Sequence, residues 1–222
     1  MKTNRNSKTK EKVIESAVSL FNTKGYDGTT VREIAKKANA NVANISYYFD
    51  NKAGLLEYLV STFLEGYTKV IEDAYAKLDS RSARECLLLT VRNIMNYQKE
   101  NSQLSRCVNR EISLDTVLNR EVFTTYMAKE KYYFKSILET GIQQHEFRKV
   151  PIPYTIMQLK GMLTMPYLHP QYMSEVLHLL PHESYFTEQY SKEIEKWVNS
   201  TICLPIEKTI FKNRPSSYPA TS

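Results

Sequence analysis

The segment from Thr30 to Phe49 constrains the fold of this 222-residue chain more than any other. Thr30 followed by Glu33 has the spacing of a capping box, in which each residue's side chain accepts from the other's backbone N–H at a helix start. Ile34, Ala35 and Ala38 follow at helical period, so the spacing predicts a short helix through Ala38. Asn39-Ala40-Asn41 interrupts it. Asn tolerates the left-handed backbone of a tight turn, and Asn41 is a good N-cap for a second short helix through about Tyr48. Any αα-hairpin shares this pattern, so the direction each side chain faces must decide more.

At 100° per residue, Ile45 and Phe49 share one face of the second helix and match Ile34 and Ala35 of the first. These should form a small core, with Tyr48 and Phe49 packing against the next helix. Ala43 and Tyr47 point away, Asn44 and Ser46 flank them, and Val42 sits at the edge. The outward set suits a DNA major groove. Asn44 can pair bidentately with adenine, Ser46 can bond bases or phosphates, and Val42 and Ala43 can meet a thymine methyl. Tyr47 can donate to a phosphate oxygen. Thr30 and Arg32 are placed to clamp neighbouring phosphates. Lys52, at the start of the following helix, would meet the backbone through its charge and the helix N-terminus.

Charge agrees with a polyanionic partner. Residues 1–52 carry ten Lys/Arg against five Asp/Glu, whereas residues 53–222 carry twenty against nineteen. The excess lies behind and within the helix pair, where Lys8, Lys10 and Lys12 form a basic arm. A solubilising tail is the bland alternative for the arm. The three cysteines, Cys86, Cys107 and Cys203, are widely spaced, so neither a zinc site nor a disulfide framework is indicated. No apolar run reaches membrane-spanning length. A reduced, cytoplasmic, nucleoid-associated protein with no membrane contact is the expectation.

Six glycines and long 3.6-residue periodicities argue for an all-α chain. A first helix carries Val13, Ile14, Ala17, Leu20 and Phe21 and ends at Gly25. Asp50 or Asn51 should cap a fourth helix carrying Leu55, Leu56, Leu59, Val60, Phe63 and Tyr67. Helical patterning continues near Cys86–Lys99, Asp115–His145, Tyr154–Met165 and Tyr185–Cys203, with breaks at Asp79–Arg81, Pro151, Pro166–Pro170 and Pro181. The expected organisation is a DNA-binding unit over 1–52, a helical regulatory and dimerisation domain over 53–204, and a poorly ordered tail over 205–222.

The larger domain offers no catalytic constellation, no cofactor motif and no completed metal site. His178 and His182 are spaced i, i+4, but Pro181 interrupts their helix and no Cys or carboxylate pair joins them. Met157, Met162, Met165, Tyr126, Tyr132 and Tyr133 are candidates for a small-molecule pocket, with a Met/Tyr-rich core as the plainer reading. Arg106, Arg110 and Arg120 are candidates for a protein-binding surface, with solvated helix faces as the default. The last helix carries a broad apolar face. Its Tyr190, Ile194, Trp197 and Val198 are expected to dimerise the chain about a two-fold axis, alongside Tyr154–Met165. A two-fold dimer would read near-palindromic DNA with half-sites about one helical turn apart.

The residues Phe21, Gly25, Tyr26, Thr29-Thr30-Val31, Ile34-Ala35, Ala38, Tyr47-Tyr48-Phe49, Lys52 and Leu55-Leu56 resemble the TetR family of bacterial regulators. The resemblance covers residues 9–60 and implies a three-helix DNA-binding domain, a helical regulatory domain and a homodimer. Two positions depart from it: Asn39 stands where the family usually has Gly, and Ser46 where it usually has a recognition-helix Tyr. Gln158-Leu159-Lys160, Met165-Pro166-Tyr167-Leu168, Pro170-Gln171-Tyr172, Ser174-Glu175-Val176 and Pro181-His182-Glu183 resemble TetR-like regulators of spore-forming bacilli. What that implies is action on FtsZ-ring assembly, with FtsZ as a partner. The alternative is a ligand-responsive transcriptional repressor.

Overall fold

The computed structural model describes the backbone of residues 2–112 and 117–205 and the side chains of residues 7–111 and 123–205. The fold is all-α: α1 (Lys2–Lys24), α2 (Val31–Ala38), α3 (Val42–Phe49), α4 (Lys52–Tyr75), α5 (Ala83–Glu100), α6 (Ser102–Ile112), α7 (Val117–Gln143), α8 (Ile152–Leu168) and α9 (Ser184–Thr201). A π-helical turn, Tyr172–Val176, lies between α8 and α9. The only extended pairing among the described residues is an isolated antiparallel bridge between Phe147 and Cys203.

Local sequence accounts for most helix starts. The Thr30–Glu33 capping box is formed, and a second one, Ser82 with Glu85, opens α5. Asn41 caps α3 by accepting from Ala43 N, and Asn51 caps α4 by accepting from Gly54 N. α1 corrects one expectation. It begins at Lys2, so the basic arm is a continuation of the helix and not a separate strand-following segment.

α1–α3 form a small head. Val13, Ala17, Phe21, Ile34, Ala35, Ile45 and Phe49 are buried together there. α4 runs from this head into the body, where it packs on α5 and α7, and α5 packs on α9. α6, which the sequence left unassigned, joins body to head by packing on α1. At that joint Asn22 Nδ2 donates to Gln103 O at 2.8 Å, and the Arg110 guanidinium donates to Phe21 O.

Two further expectations are revised, at Pro166 and on the α9 face, while the helix interruption read at Pro181 is present. Pro166 does not end α8; it is buried inside the helix, which continues to Leu168. His178 and His182 lie in the connection before α9, with His178 at φ 53°, so they do not share a helical face. Ile194 and Val198 are 1% and 0% exposed within the protomer, because α9 lays this face on α5, and they are unavailable as an outer dimerisation surface. The expected tail from residue 206 onward lies outside the described residues.

Candidate nucleic-acid interface

The turn between α2 and α3 is built by its asparagines. Asn39 adopts the left-handed conformation, φ 50° and ψ 47°, and its N–H reaches back to the carbonyls of Ala35 and Lys36. Ala40 N donates to Ala35 O at 2.9 Å, closing the end of α2. This is the position where the family resemblance placed Gly; Asn meets the same backbone requirement at lower steric cost than other side chains. At the other end of α2, Glu33 accepts from Lys24 Nζ at 2.6 Å and from Thr30 N at 2.8 Å. The Lys24 contact first, and the Thr30 bonds next, hold the Glu33 carboxyl down at about 2.

α3 is anchored from behind. Ile45 is fully buried, and Phe49 packs edge-on against Tyr58 of α4 at 5.2 Å between centroids. Lys10 of α1 places its ammonium 4.2 Å above the Tyr58 ring and 5.6 Å from that of Phe49, a cation–π seat that ties α1 to the α3–α4 corner. Gly54 permits this corner. A Cβ there would stand 2.1 Å from Phe49 O, so only Gly lets α4 start so close to the end of α3.

With that face fixed, the opposite one is open. Val42, Ala43, Ser46 and Tyr47 are exposed, Tyr47 to 76%, and Asn44 is half-buried beside them. Thr30 and Arg32 are exposed at the start of α2 on the same head. Thr30 spends its hydroxyl on the capping box. Tyr48 packs partly against the core, as its facing predicted. The set combines short apolar side chains, Val42 and Ala43, with short polar ones, Asn44 and Ser46, and one long aromatic donor, which suits a helix that must enter a major groove about 12 Å wide.

Lys52 behaves differently from its sequence expectation. Its ammonium turns inward, donating to Tyr26 O and Thr29 O at 3.0 Å each and lying 4.2 Å over the Tyr26 ring. It therefore pins the segment that leads into α2. No local signal in the sequence reveals this, because the partners lie 23 and 26 residues away.

The remaining candidates do not come together into a second site. Arg110 is engaged at the α1–α6 joint, with Glu111 Oε1 at 3.1 Å as well as Phe21 O. Arg106 is half-buried beside the groove between α1 and α6. The side chain of Arg120 lies outside the described residues. Tyr190 donates to Met162 O at 3.0 Å, and Trp197 packs partly against the core. Of the Met/Tyr set, Tyr132 and Tyr133 cluster with Tyr75 on the α4–α7 surface, and none of the six lines the cavity beside Lys160. Among the described residues, no group of three or more His, Cys, Asp or Glu is placed to hold a metal, and no helix is long and apolar enough to cross a membrane.

Sequence placed Tyr154–Met165 beside the expected dimer seam without deciding which face of that helix points out. Tyr154, Met157, Gly161 and Leu168 follow a three–four spacing and are exposed, and a Cβ added at Gly161 would meet nothing within 4 Å. The spacing could have flagged this stripe as a seam, but the same helix carries the inward stripe Thr155, Leu159 and Leu163, so periodicity alone does not say which side faces out.

Residues 13–59 match the family model for bacterial regulatory proteins of the tetR family. The chain is 53% identical over 192 residues to the "Probable HTH-type transcriptional regulator YttP" of Bacillus subtilis (strain 168), covering 86% of this chain and 93% of that protein. It is 40% identical over 62 residues to the biofilm operon icaADBC negative transcriptional regulator IcaR of Staphylococcus aureus (strain Newman), which spans 28% of this chain and 33% of that one. In fold it is similar to the TetR family transcriptional regulator PfmR from Thermus thermophilus, with a TM-score of 0.73 at 20% identity, covering 85% of this chain and 97% of that one.

Proposed function

Because the chain belongs to the TetR family of DNA-binding transcriptional regulators, we propose that it reads a near-palindromic DNA site as a homodimer and acts on FtsZ-ring assembly while bound. The observation that carries the DNA half is the two-sided construction of α3. Ile45 and Phe49 lock one face, leaving Val42, Ala43, Asn44, Ser46 and Tyr47 to meet base edges and phosphates. Arg32 holds the flanking backbone, and Thr30 supports it by capping the start of α2. Lys52 contributes by fixing the entry to α2, and the start of α4 offers its N-terminus to a phosphate.

The dimer uses the outward stripe of α8. Two copies crossing at Gly161 can approach closely, with Tyr154, Met157 and Leu168 filling the space to either side. Two-fold symmetry then sets two α3 helices against successive major grooves roughly 34 Å apart. The division role draws on the likeness of the segments from Gln158 to Glu183 to RefZ, a TetR-like protein of spore-forming bacilli. Arg106 remains the candidate for contact with FtsZ, in a cytoplasmic, nucleoid-associated protein.

Binding to a mapped chromosomal site tests the first half. Tyr47→Ala and Asn44→Ala should each weaken specific binding by roughly 1–3 kcal/mol, and unchanged affinity in two folded variants overturns it. FtsZ polymerisation measured with the protein and its DNA tests the second; no change in rate or polymer mass overturns that half. A second reading, a ligand-responsive repressor, is favoured by the cavity beside Lys160. Bound sites upstream of promoters would support it over sites grouped by chromosomal position.

A further inference from the structure

α1 sets one lysine apart from its neighbours. Lys8 and Lys12 are exposed, whereas Lys10 is half-buried. Helical period is the cause. Lys10 stands three, seven and eleven residues before Val13, Ala17 and Phe21, all fully buried, so it continues the core-facing stripe of α1. That stripe carries it to the corner between α3 and α4, where its ammonium lies 4.2 Å from the Tyr58 ring centroid and 5.6 Å from that of Phe49.

The two rings belong to a longer row. Tyr47 meets Tyr48 at 5.1 Å between centroids, Tyr48 meets Phe49 at 6.1 Å, and Phe49 meets Tyr58 at 5.2 Å, with interplanar angles of 72°, 63° and 60°. Each contact is edge-to-face, the arrangement in which the positive edge of one ring meets the negative face of the next. Such contacts set the direction of a ring as well as its burial. The row runs from the exposed Tyr47, through the buried end of α3, and onto α4.

A cation over a ring is attracted by the ring quadrupole, so one ammonium ties both Phe49 and Tyr58 to α1. Apolar burial alone would keep Phe49 inside the head, but it is non-directional and does not fix the angle at which α3 ends. That angle matters for DNA. A contact to a phosphate sets register, and the register of α3 places Asn44 and Ser46 against base edges. An exposed tyrosine without fixed neighbours samples several staggered rotamers and loses that freedom on binding; one already held loses less.

We propose that Lys10 is a positioning residue for DNA reading: seated on Tyr58 and Phe49, it fixes the aromatic row that holds Tyr47, and with it the register of α3, for the duplex. It acts from inside the head and not on a phosphate. The inference rests on α3 being the DNA-facing helix.

Lys10→Met and Tyr58→Leu, alone and together, test it. Affinity is measured for a mapped chromosomal site and for a scrambled duplex of equal length, each across a range of salt, at a temperature where the helical signal is complete. Each single variant should weaken the specific complex roughly three- to tenfold and leave the scrambled one nearly unchanged. The slope of log K against log salt should change by much less than the roughly 0.9 of one phosphate contact. The double variant should cost no more than either single, because both remove the same contact. Tyr58→Phe keeps the ring and should bind as the wild type does. The ε-methylene protons of Lys10 should show a ring-current shift in the free protein and keep it when DNA is added. Equal loss on both duplexes, additive losses in the double variant, or a ring-current shift that vanishes on DNA overturns the proposal and returns Lys10 to the strand. Tyr47→Ala, measured alongside, separates the two readings. A loss there with none at Lys10 removes the positioning role and leaves α3 on the DNA, whereas no loss at either removes both.

Discussion

Lys52→Met separates two roles that a lysine at this position can have. The wild-type ammonium bonds two carbonyls, Tyr26 O and Thr29 O, at 3.0 Å each and stacks on the Tyr26 ring at 4.2 Å. A hydrogen bond from a charged donor contributes about 1.5–3 kcal/mol net when well shielded. Lys52 is half-buried, so water recovers part of the loss when the donor is removed. Taking the low end for each bond and adding about 0.5 kcal/mol for the ring contact, then discounting for that water, puts the cost at about 2–3 kcal/mol, with Met keeping the apolar stem in place. The unfolding midpoint should fall by roughly 5–10 °C. DNA affinity measured against salt provides the second arm. A lysine on a phosphate contributes about 0.9 to the slope of log K against log salt, and its loss lowers the slope by that amount. The inward geometry predicts a weaker head and a slope changed by much less. Unchanged stability with a slope lower by about 0.9 would refute the reasoning and return Lys52 to the DNA backbone.

Asn39→Val should cost about 1–2 kcal/mol in chemical denaturation, because a β-branched residue is forced to a left-handed backbone, while Asn39→Gly should cost nothing. Met157→Glu and Gly161→Leu should convert the dimer to a folded monomer in analytical ultracentrifugation. Ile194→Ala should instead lower protomer stability by about 2–5 kcal/mol and leave association unchanged, since its side chain is in the core. The Glu33 carboxyl is held at about 2 against an ordinary 4.5. The ionised form is the one stabilised, so its contribution to the start of α2 is complete above pH 4.5 and fades as the pH falls toward 2. A carbon-13 titration of Glu33 with a midpoint near 4.5 would contradict the Lys24 and Thr30 contacts.

What sequence determined here is what neighbours within about four residues decide. The capping box of Thr30 and Glu33, the left-handed Asn39, the caps at Asn41 and Asn51, and the inward Ile45 and Phe49 are all set by i, i+3 and i, i+4 relations. The facing of α3 follows from them, and so does the exposed set led by Tyr47. α6 was legible in principle through Leu104, Cys107 and Val108, but it follows α5 after the single residue Asn101, so the apolar pattern alone does not mark it as a separate helix. Tertiary structure decided the rest, because those choices compare one long-range partner with another. Lys52 had a phosphate and two carbonyls open to it, and the fold of residues 26–29 brought the carbonyls within reach. α9 and α8 each carried apolar residues enough for an outer seam. Packing against α5 buried Ile194 and Val198 of α9, and left Tyr154, Met157 and Gly161 of α8 facing out. Burial is a competition for a limited interior, and the order of residues along a chain does not contain its outcome.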